Sequence, residues 1–97
     1  MPFVITLAPE AVEDLQSLRA NVRATVRAGL ERHLRHEPRK VSRSRIKRLR
    51  GLARPQFRLR IGDVRVFYDV TGTTVQVLAI VAKSEAEAWL TQFGNPE

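Results

Sequence analysis

The chain has no cysteine in its 97 residues, which excludes disulfides, thiolate nucleophiles and cysteine-based zinc sites and favours an intracellular protein. No apolar run approaches the roughly 20 residues that a membrane-spanning helix needs. The N-terminus, Met1–Thr6, has no basic segment followed by a long apolar one, which argues against a signal peptide. We therefore expect a cytoplasmic protein that has no membrane partner.

The sequence motifs of several large enzyme classes are also missing. There is no Walker-type phosphate loop, Rossmann glycine pattern, nucleophile elbow or metalloprotease motif. His33 and His36 lie three residues apart on a predicted helix, with no third ligand type arranged nearby. Helix-surface histidines are the simpler interpretation of this pair, so we predict neither a metal nor a cofactor.

Positive charge is what the sequence has in excess: 17 Lys and Arg against 10 Asp and Glu give a formal net charge of +7. The segment from Arg39 to Arg60 is the most basic, and no acidic residue lies between Glu37 and Asp63. Clustered like charges repel, so this block costs stability unless a polyanion or an acidic partner offsets it. The block indicates nucleic acid, a ribosome-like surface or an acidic protein as partner. A basic protein that is only well solvated is the alternative.

The hydrophobic pattern predicts an α+β fold, and the length suits a single domain over residues 1–97. An N-terminal strand at residues 3–7 precedes an antiparallel helical hairpin, which packs on a largely antiparallel twisted sheet; a short C-terminal helix follows. The predicted apolar stripes are Val12, Leu15 and Leu18 in the first helix, which begins at Pro9, and Val22, Val26, Leu30 and Leu34 in the second, which begins after an Asn21 N-cap.

Two further segments complete the predicted order of elements. Residues 39–56 form a basic loop that leads into the hairpin strands. Ser84 and Glu87 form a capping box for the last helix, in which Trp89 serves as the anchor.

A two-residue turn at Gly62–Asp63 sets the register of the first hairpin. Arg60 then lies opposite Arg65, and Arg58 lies opposite Phe67. Because side chains alternate between the two faces of a sheet, these four residues share one face. The other, apolar face carries Phe57, Leu59, Ile61, Val64, Val66 and Tyr68.

Two arginines directly opposite each other repel, at a cost of a few tenths of a kcal/mol to about one. A phosphate-binding site favours such a pair, because each guanidinium offers a rigid fork of donors. Phe67 beside them is placed to stack on a nucleobase, a contact worth ~1–3 kcal/mol. Alternatively, another segment covers Phe67 together with Leu78 and Ile80, which a two-residue turn at Gly72–Thr73 would put on the same face.

Three motifs occur in order along the chain: Ile46–Leu52 (IKRLRGL), Phe57–Asp63 (FRLRIGD) and Val64–Val70 (VRVFYDV); Ala79–Lys83 (AIVAK) follows them. Together they resemble the RelE/ParE superfamily of toxins from type II toxin–antitoxin systems, and the resemblance covers nearly the whole chain. It implies a compact RelE-like fold and, as partner, a small acidic antitoxin.

The resemblance implies one of three activities. A RelE-type toxin cuts mRNA on the ribosome without a metal, by attack of a ribose 2′-hydroxyl on the adjacent phosphate, and so inhibits translation. A ParE-type toxin inhibits DNA gyrase and cuts nothing, and an inactive homologue would only bind its antitoxin. Motif positions imply catalytic roles for Arg58, Arg60, Arg65 and Lys83. The predicted RNA-binding residues are Arg45, Lys47, Arg48, Arg50, Arg54 and Phe67.

The chain departs from the RelE pattern at its C-terminal end. Ser84 stands where RelE-type enzymes have a further arginine, and Trp89 and Leu90 occupy the region of their C-terminal tyrosine. Arg58 and Arg60 are poorer proton carriers than lysine, because the pKa of a guanidinium is too high for it to release a proton near neutrality. The sequence therefore offers groups that neutralise charge but no obvious general acid or base.

Overall fold

A computed structural model describes residues 1–97, in which one strand, two helices, five strands, a helix and a short strand follow one another. The strands are Val4–Leu7 (β1), Ile46–Arg48 (β2), Leu52–Arg54 (β3), Phe57–Ile61 (β4), Val64–Thr71 (β5), Thr74–Ala82 (β6) and Asn95–Pro96 (β7), and the helices are Pro9–Ser17 (α1), Ala20–Leu34 (α2) and Ala86–Phe93 (α3). Five strands form the main sheet in the order β1-β6-β5-β4-β2. Only β1, which is parallel to β6, departs from antiparallel pairing in this sheet. The predicted α+β architecture with a largely antiparallel sheet is confirmed.

The hydrophobic core lies between the helical hairpin and one face of the main sheet. The predicted apolar face of the first hairpin is buried there, together with Val26, Leu30 and Leu34 of α2, while Val22 packs at its margin. The predicted apolar stripe of α1 is wrong at Val12, which is exposed. Ala11 is buried in its place, together with the predicted Leu15. No helix combines the length and the apolar character needed to cross a bilayer.

Both predicted helix caps are wrong. α2 begins at Ala20, one residue before Asn21, and no side chain caps its N-terminus. The reason is the short connection to α1, which leaves only Leu18 and Arg19 between the helices. There the Arg23 guanidinium donates to the carbonyl of Gln16 in α1 (3.1 Å) and to that of Leu18 (3.3 Å). Ser84 forms no capping box either, because it lies within a 3-10 turn at Lys83–Glu85 and α3 starts only at Ala86.

The predicted basic loop is partly ordered as strand. Ile46–Arg48 pairs with β4 as the edge of the main sheet, and Leu52–Arg54 pairs with β7. The anchor is Ile46, which lies opposite Leu59 and is buried in the core. A single apolar side chain within a run of charges thus converts the segment from loop to edge strand, which places its basic residues beside β4.

The hairpin register is confirmed in the first hairpin and interrupted in the second. Arg60 pairs with Arg65 across the Gly62–Asp63 turn, where Gly62 adopts a left-handed φ of 55°. The second turn also has two residues, but a β-bulge follows, so that Phe67 pairs with Ala79 and Tyr68 with Val77.

The bulge overturns the predicted position of Ile80. Instead of sharing the arginine face, Ile80 lies opposite Val66 and is buried in the core. Its backbone N–H donates to Oδ2 of Asp14 in α1 (3.0 Å), which satisfies a donor that has no partner strand on that side.

Tyr68 points into the core, as predicted, and its hydroxyl donates to the backbone carbonyl of Pro38 (2.7 Å). Burial raises the pKa of Tyr68 well above its ordinary value of 10.0. The protonated hydroxyl of Tyr68 therefore contributes stability that is fully present below about pH 10. Above that pH the free energy of unfolding falls by up to ~1.4 kcal/mol per pH unit, because only the unfolded chain releases the proton.

We therefore expect Tyr68→Phe to have two effects. At pH 7 it leaves the Pro38 carbonyl without its donor and costs about 1–3 kcal/mol. Above pH 10 the unfolding free energy of the variant should fall less steeply than that of the wild type. Urea unfolding from pH 7 to 11 measures both, and parallel pH profiles would contradict the assignment, since Tyr68 is the only tyrosine.

Candidate functional site

Three arginines share the face of β4 and β5 that points away from the helical hairpin. Arg60 lies directly opposite Arg65, and Arg58 lies opposite Phe67. We call Arg58, Arg60 and Arg65 the sheet-face arginine cluster. Arg65 is only 8% exposed, and its Nη1 donates to the carbonyls of Gly62 (2.8 Å) and Val64 (3.1 Å). The hairpin turn therefore holds one guanidinium of the cluster in a fixed orientation.

The positive charge of this cluster is not compensated within the chain. The ion pairs of the structure are Arg35–Glu31, Lys40–Glu37 and Arg54–Asp69, and none includes a member of the cluster. Burial lowers the pKa of the Arg58 guanidinium, and the positive charges of Arg65 and Arg60 lower it further. The Nε of Arg58 is buried and has no hydrogen-bond partner. An unpaired buried donor beside like charges is costly, and an oxyanion bound at the accessible part of the cluster would offset the repulsion between the charges.

Lys83 directly follows β6 and lies beside the Gly62–Asp63 turn of the first hairpin. Its backbone N–H donates to the carbonyl of Asp63 (2.8 Å), and its side chain lines a shallow cavity with Asp63, Ala82 and Ser84. No hydrogen bond of the structure joins Lys83 to the arginine cluster, so its catalytic role stays a prediction.

Phe67 cannot stack on a nucleobase in this structure, so that prediction is wrong. Its side chain is completely buried beneath Trp89, with ring centroids 5.0 Å apart and planes 6° apart. Trp89 in turn contacts Phe93 (5.5 Å), so α3 covers this part of the sheet face. The structure confirms the alternative prediction, that another segment covers Phe67. The four-residue spacing of Trp89 and Phe93 was the sequence signal for it.

Arg54, one of the predicted RNA-binding residues, is half exposed, but its charge is compensated within the chain. Its Nε donates to Oδ2 of Asp69 (2.7 Å) and its Nη2 to Oε1 of Gln76 (3.2 Å). Asp69 is buried and also accepts the backbone N–H of Gln56 (2.8 Å) through Oδ1. Sequence reasoning missed this network, although the single acid of β5, which lies between Tyr68 and Val70, was a signal for it.

The other predicted RNA-binding residues lie along the edge of the sheet, and all are exposed. Arg45 donates from Nη1 to the backbone carbonyl of Arg60 (3.0 Å), which ties it to the strand that carries the cluster. Arg48 lies over the ring of Phe57, with Cζ 5.2 Å from the centroid. Lys47 and Arg50 form no side-chain hydrogen bond or ion pair. This edge therefore adds positive charge beside β4, part of it in fixed positions.

Comparison with known families and structures accounts for this arrangement. The family model described as the ParE toxin of type II toxin–antitoxin systems matches residues 5–87. No match is found among curated proteins.

Solved structures with the same fold include several toxins. The chain is 27% identical to a chain of the RelBE2 toxin–antitoxin complex from Mycobacterium tuberculosis, with a TM-score of 0.67 over 84% of this chain and 99% of that one. It is 25% identical to a chain of the archaeal RelE–RelB complex from Pyrococcus horikoshii OT3, with a TM-score of 0.64 over 86% and 97%. A mutant of the E. coli toxin RelE in the free state, 20% identical, shares the fold with a TM-score of 0.69 over 96% and 99%.

The family match spans most of the chain, and the arginine-bearing hairpin lies entirely within it. The predicted resemblance is thus confirmed on both sequence and fold. The chain belongs to the ParE toxin family, within the RelE/ParE superfamily, and is the toxin of a type II toxin–antitoxin system.

Proposed function

We propose that this toxin is a RelE-like endoribonuclease, which cleaves mRNA on the ribosome in the cytoplasm and so inhibits translation. The observation that carries the proposal is the sheet-face arginine cluster, with its unpaired charge and the unpartnered buried Nε of Arg58. Such a cluster costs folding stability, and a bound phosphodiester would offset that cost.

In the proposed reaction the ribose 2′-oxygen attacks the adjacent phosphorus and the P–O5′ bond breaks. The products are a 2′,3′-cyclic phosphate and a 5′-hydroxyl end, and the proton lost by the 2′-hydroxyl balances the one gained by O5′. Negative charge builds up on the phosphorus oxygens in the transition state. Arg65, oriented by the turn, and Arg58 are placed to stabilise that charge.

Proton transfer is not assigned to the cluster. An arginine keeps its proton near neutrality, even where burial lowers its pKa. We therefore assign charge stabilisation to Arg58 and Arg65 and an accessory electrostatic role to Arg60, which is exposed at the end of the row.

The exposed edge of the sheet would hold the rest of the RNA. Arg45, Lys47, Arg48 and Arg50 are the residues proposed to contact phosphates, without Arg54 and Phe67. Affinity for a single strand should then fall by roughly 0.7 log units per phosphate contact for each tenfold rise in salt.

We also propose a small acidic antitoxin as partner. Two of the similar solved chains belong to toxin–antitoxin complexes, which supports such a partner for this toxin. The uncompensated positive charge of the cluster would attract an acidic chain as it attracts RNA.

A ParE-like inhibitor of DNA gyrase is the second candidate. One observation favours it: the family model that matches is named for ParE. An inactive homologue that only binds its antitoxin is the third.

Purified toxin incubated with mRNA-programmed ribosomes, with 5′ ends mapped by primer extension, distinguishes these candidates. We expect cleavage of ribosome-bound message and none of free message. Intact message together with gyrase-dependent DNA breaks would support the ParE-like activity and contradict the nuclease proposal. If neither message cleavage nor DNA breaks are observed, and expression causes no growth defect, the protein is the inactive homologue that only binds its antitoxin.

A further inference from the structure

A second concentration of basic side chains lies outside the sheet-face arginine cluster. The C-terminal part of α2 and the segment leading to β2 enclose a cavity of about 420 Å³, which we call the α2–β2 cavity. That volume lies within the range of ordinary ligand sites. Its basic lining residues are Arg32, His33, His36, Lys40 and Arg45.

The lining of the cavity suits an anion. Glu37 is its only acid, and that carboxylate is paired with Lys40 (3.3 Å). Ile46 is its only hydrophobic residue. Burial lowers the pKa of His33, and the positive charges of Arg45 and Arg32 lower it further.

Ser42 adds a neutral donor at the wall of the cavity. Its Oγ accepts the backbone N–H groups of Arg45 and Ile46, both at 3.1 Å. Because these two bonds use its lone pairs, the hydroxyl proton remains to be donated, and no side-chain hydrogen bond of the structure takes it. Arg45 is likewise held in place, by its bond to the carbonyl of Arg60 (3.0 Å). Two donors at the cavity are therefore positioned before any ligand binds.

We propose that the α2–β2 cavity is a second phosphate-binding site, which holds a phosphodiester group of an RNA strand outside the sheet-face arginine cluster. Arg32 and Arg45 supply the charge, and Lys40 (paired with Glu37), the Ser42 hydroxyl and the His33 imidazole supply further donors. This inference rests on the proposed RNA substrate but not on cleavage.

Two features favour RNA over an acidic protein as the occupant. Phosphate contacts need only charged and polar donors, which are what line the cavity. In addition, Arg45 reaches from the cavity to β4, so one RNA strand along this edge could contact both sites.

The test uses a ligand that cannot be cleaved, so that its outcome is independent of nuclease activity. The full-length toxin is titrated with a ten-nucleotide 2′-O-methyl RNA, and in a second arm with orthophosphate, while the imidazole resonances of His33 are followed by NMR from pH 5 to 8. Bound RNA should raise the pKa of His33, because the phosphate charge favours the imidazolium. Orthophosphate should act in the same direction at higher concentration.

Substitutions then locate the site. Arg32→Gln combined with Lys40→Gln should weaken RNA binding on the order of tenfold, whereas Arg27→Gln, which removes a charge from the groove between α1 and α2, should change it less than twofold. An unchanged His33 titration with saturating RNA would overturn the proposal. So would a response to orthophosphate or to a poly-glutamate peptide but not to RNA, which would indicate a free-anion or protein site instead.

Discussion

Arg65→Ala is expected to lower the rate of mRNA cleavage by a factor on the order of 10²–10³, the usual effect of losing one fixed donor to a developing oxyanion. Arg65 is buried in the sheet-face arginine cluster, and the carbonyls of Gly62 and Val64 orient its guanidinium. Single-turnover cleavage of ribosome-bound message measures the effect.

Two Arg→Lys substitutions, which keep the positive charge, test whether the position of the guanidinium matters or only its charge. Arg65→Lys keeps the positive charge but loses the planar fork and one of the two turn contacts, so we expect most of the activity to be lost. Arg50→Lys makes the same exchange at an exposed residue without side-chain contacts and should be nearly silent. Thermal unfolding of both variants checks that the fold survives. Wild-type cleavage by Arg65→Lys would contradict the phosphate-clamp role.

Asp69→Ala is expected to destabilise the protein by about 3 kcal/mol, the cost of removing a buried carboxylate that accepts hydrogen bonds from two donors. Its carboxylate accepts the Nε of Arg54 (2.7 Å) and the backbone N–H of Gln56 (2.8 Å), and it is only 8% exposed. Alanine leaves both donors unsatisfied at the point where β3 turns into β4. For a domain of this size, that loss lowers Tm by about 12–24 °C.

Two variants test whether the carboxylate itself is responsible. Arg54→Gln removes a half-exposed partner and leaves the Gln56 contact, so it should cost no more than about 1 kcal/mol. Glu13→Ala removes an exposed acid that forms no hydrogen bond or ion pair and should stay within about 0.5 kcal/mol. Urea unfolding at pH 7 ranks the three. If Asp69→Ala were as mild as Glu13→Ala, the network around Gln56 would not support this part of the fold.

The predictable parts of the fold depend on local patterns. The four-residue spacing in α2 and the strict alternation in β4 and β5 each select one element and one face, because side-chain direction follows directly from backbone geometry. The Gly62–Asp63 turn then sets the register, and with it the Arg60–Arg65 pair. Errors arose where contacts outside the periodic pattern prevail: Arg23 donates back to the carbonyls of Gln16 and Leu18, and α2 starts before Asn21.

Some features of the candidate site likewise follow from the local sequence pattern, and others depend on the tertiary structure. That Arg58, Arg60 and Arg65 share a face follows from strand alternation alone. That Phe67 is covered does not, because Trp89 lies 22 positions away and only packing brings α3 over the sheet. The pairing of Arg54 with Asp69 and the gathering of His33 and Arg45 around one cavity are likewise contacts between distant segments.

The sequence by itself determined that the chain is a basic α+β protein with a row of arginines on one face of a hairpin. It did so because charge, periodicity and turn chemistry are local properties. Only the tertiary structure decided which positive charges stay free: Arg54 is neutralised by Asp69, while no member of the sheet-face arginine cluster forms an ion pair. Charge compensation depends on distances in space, which residue order does not specify.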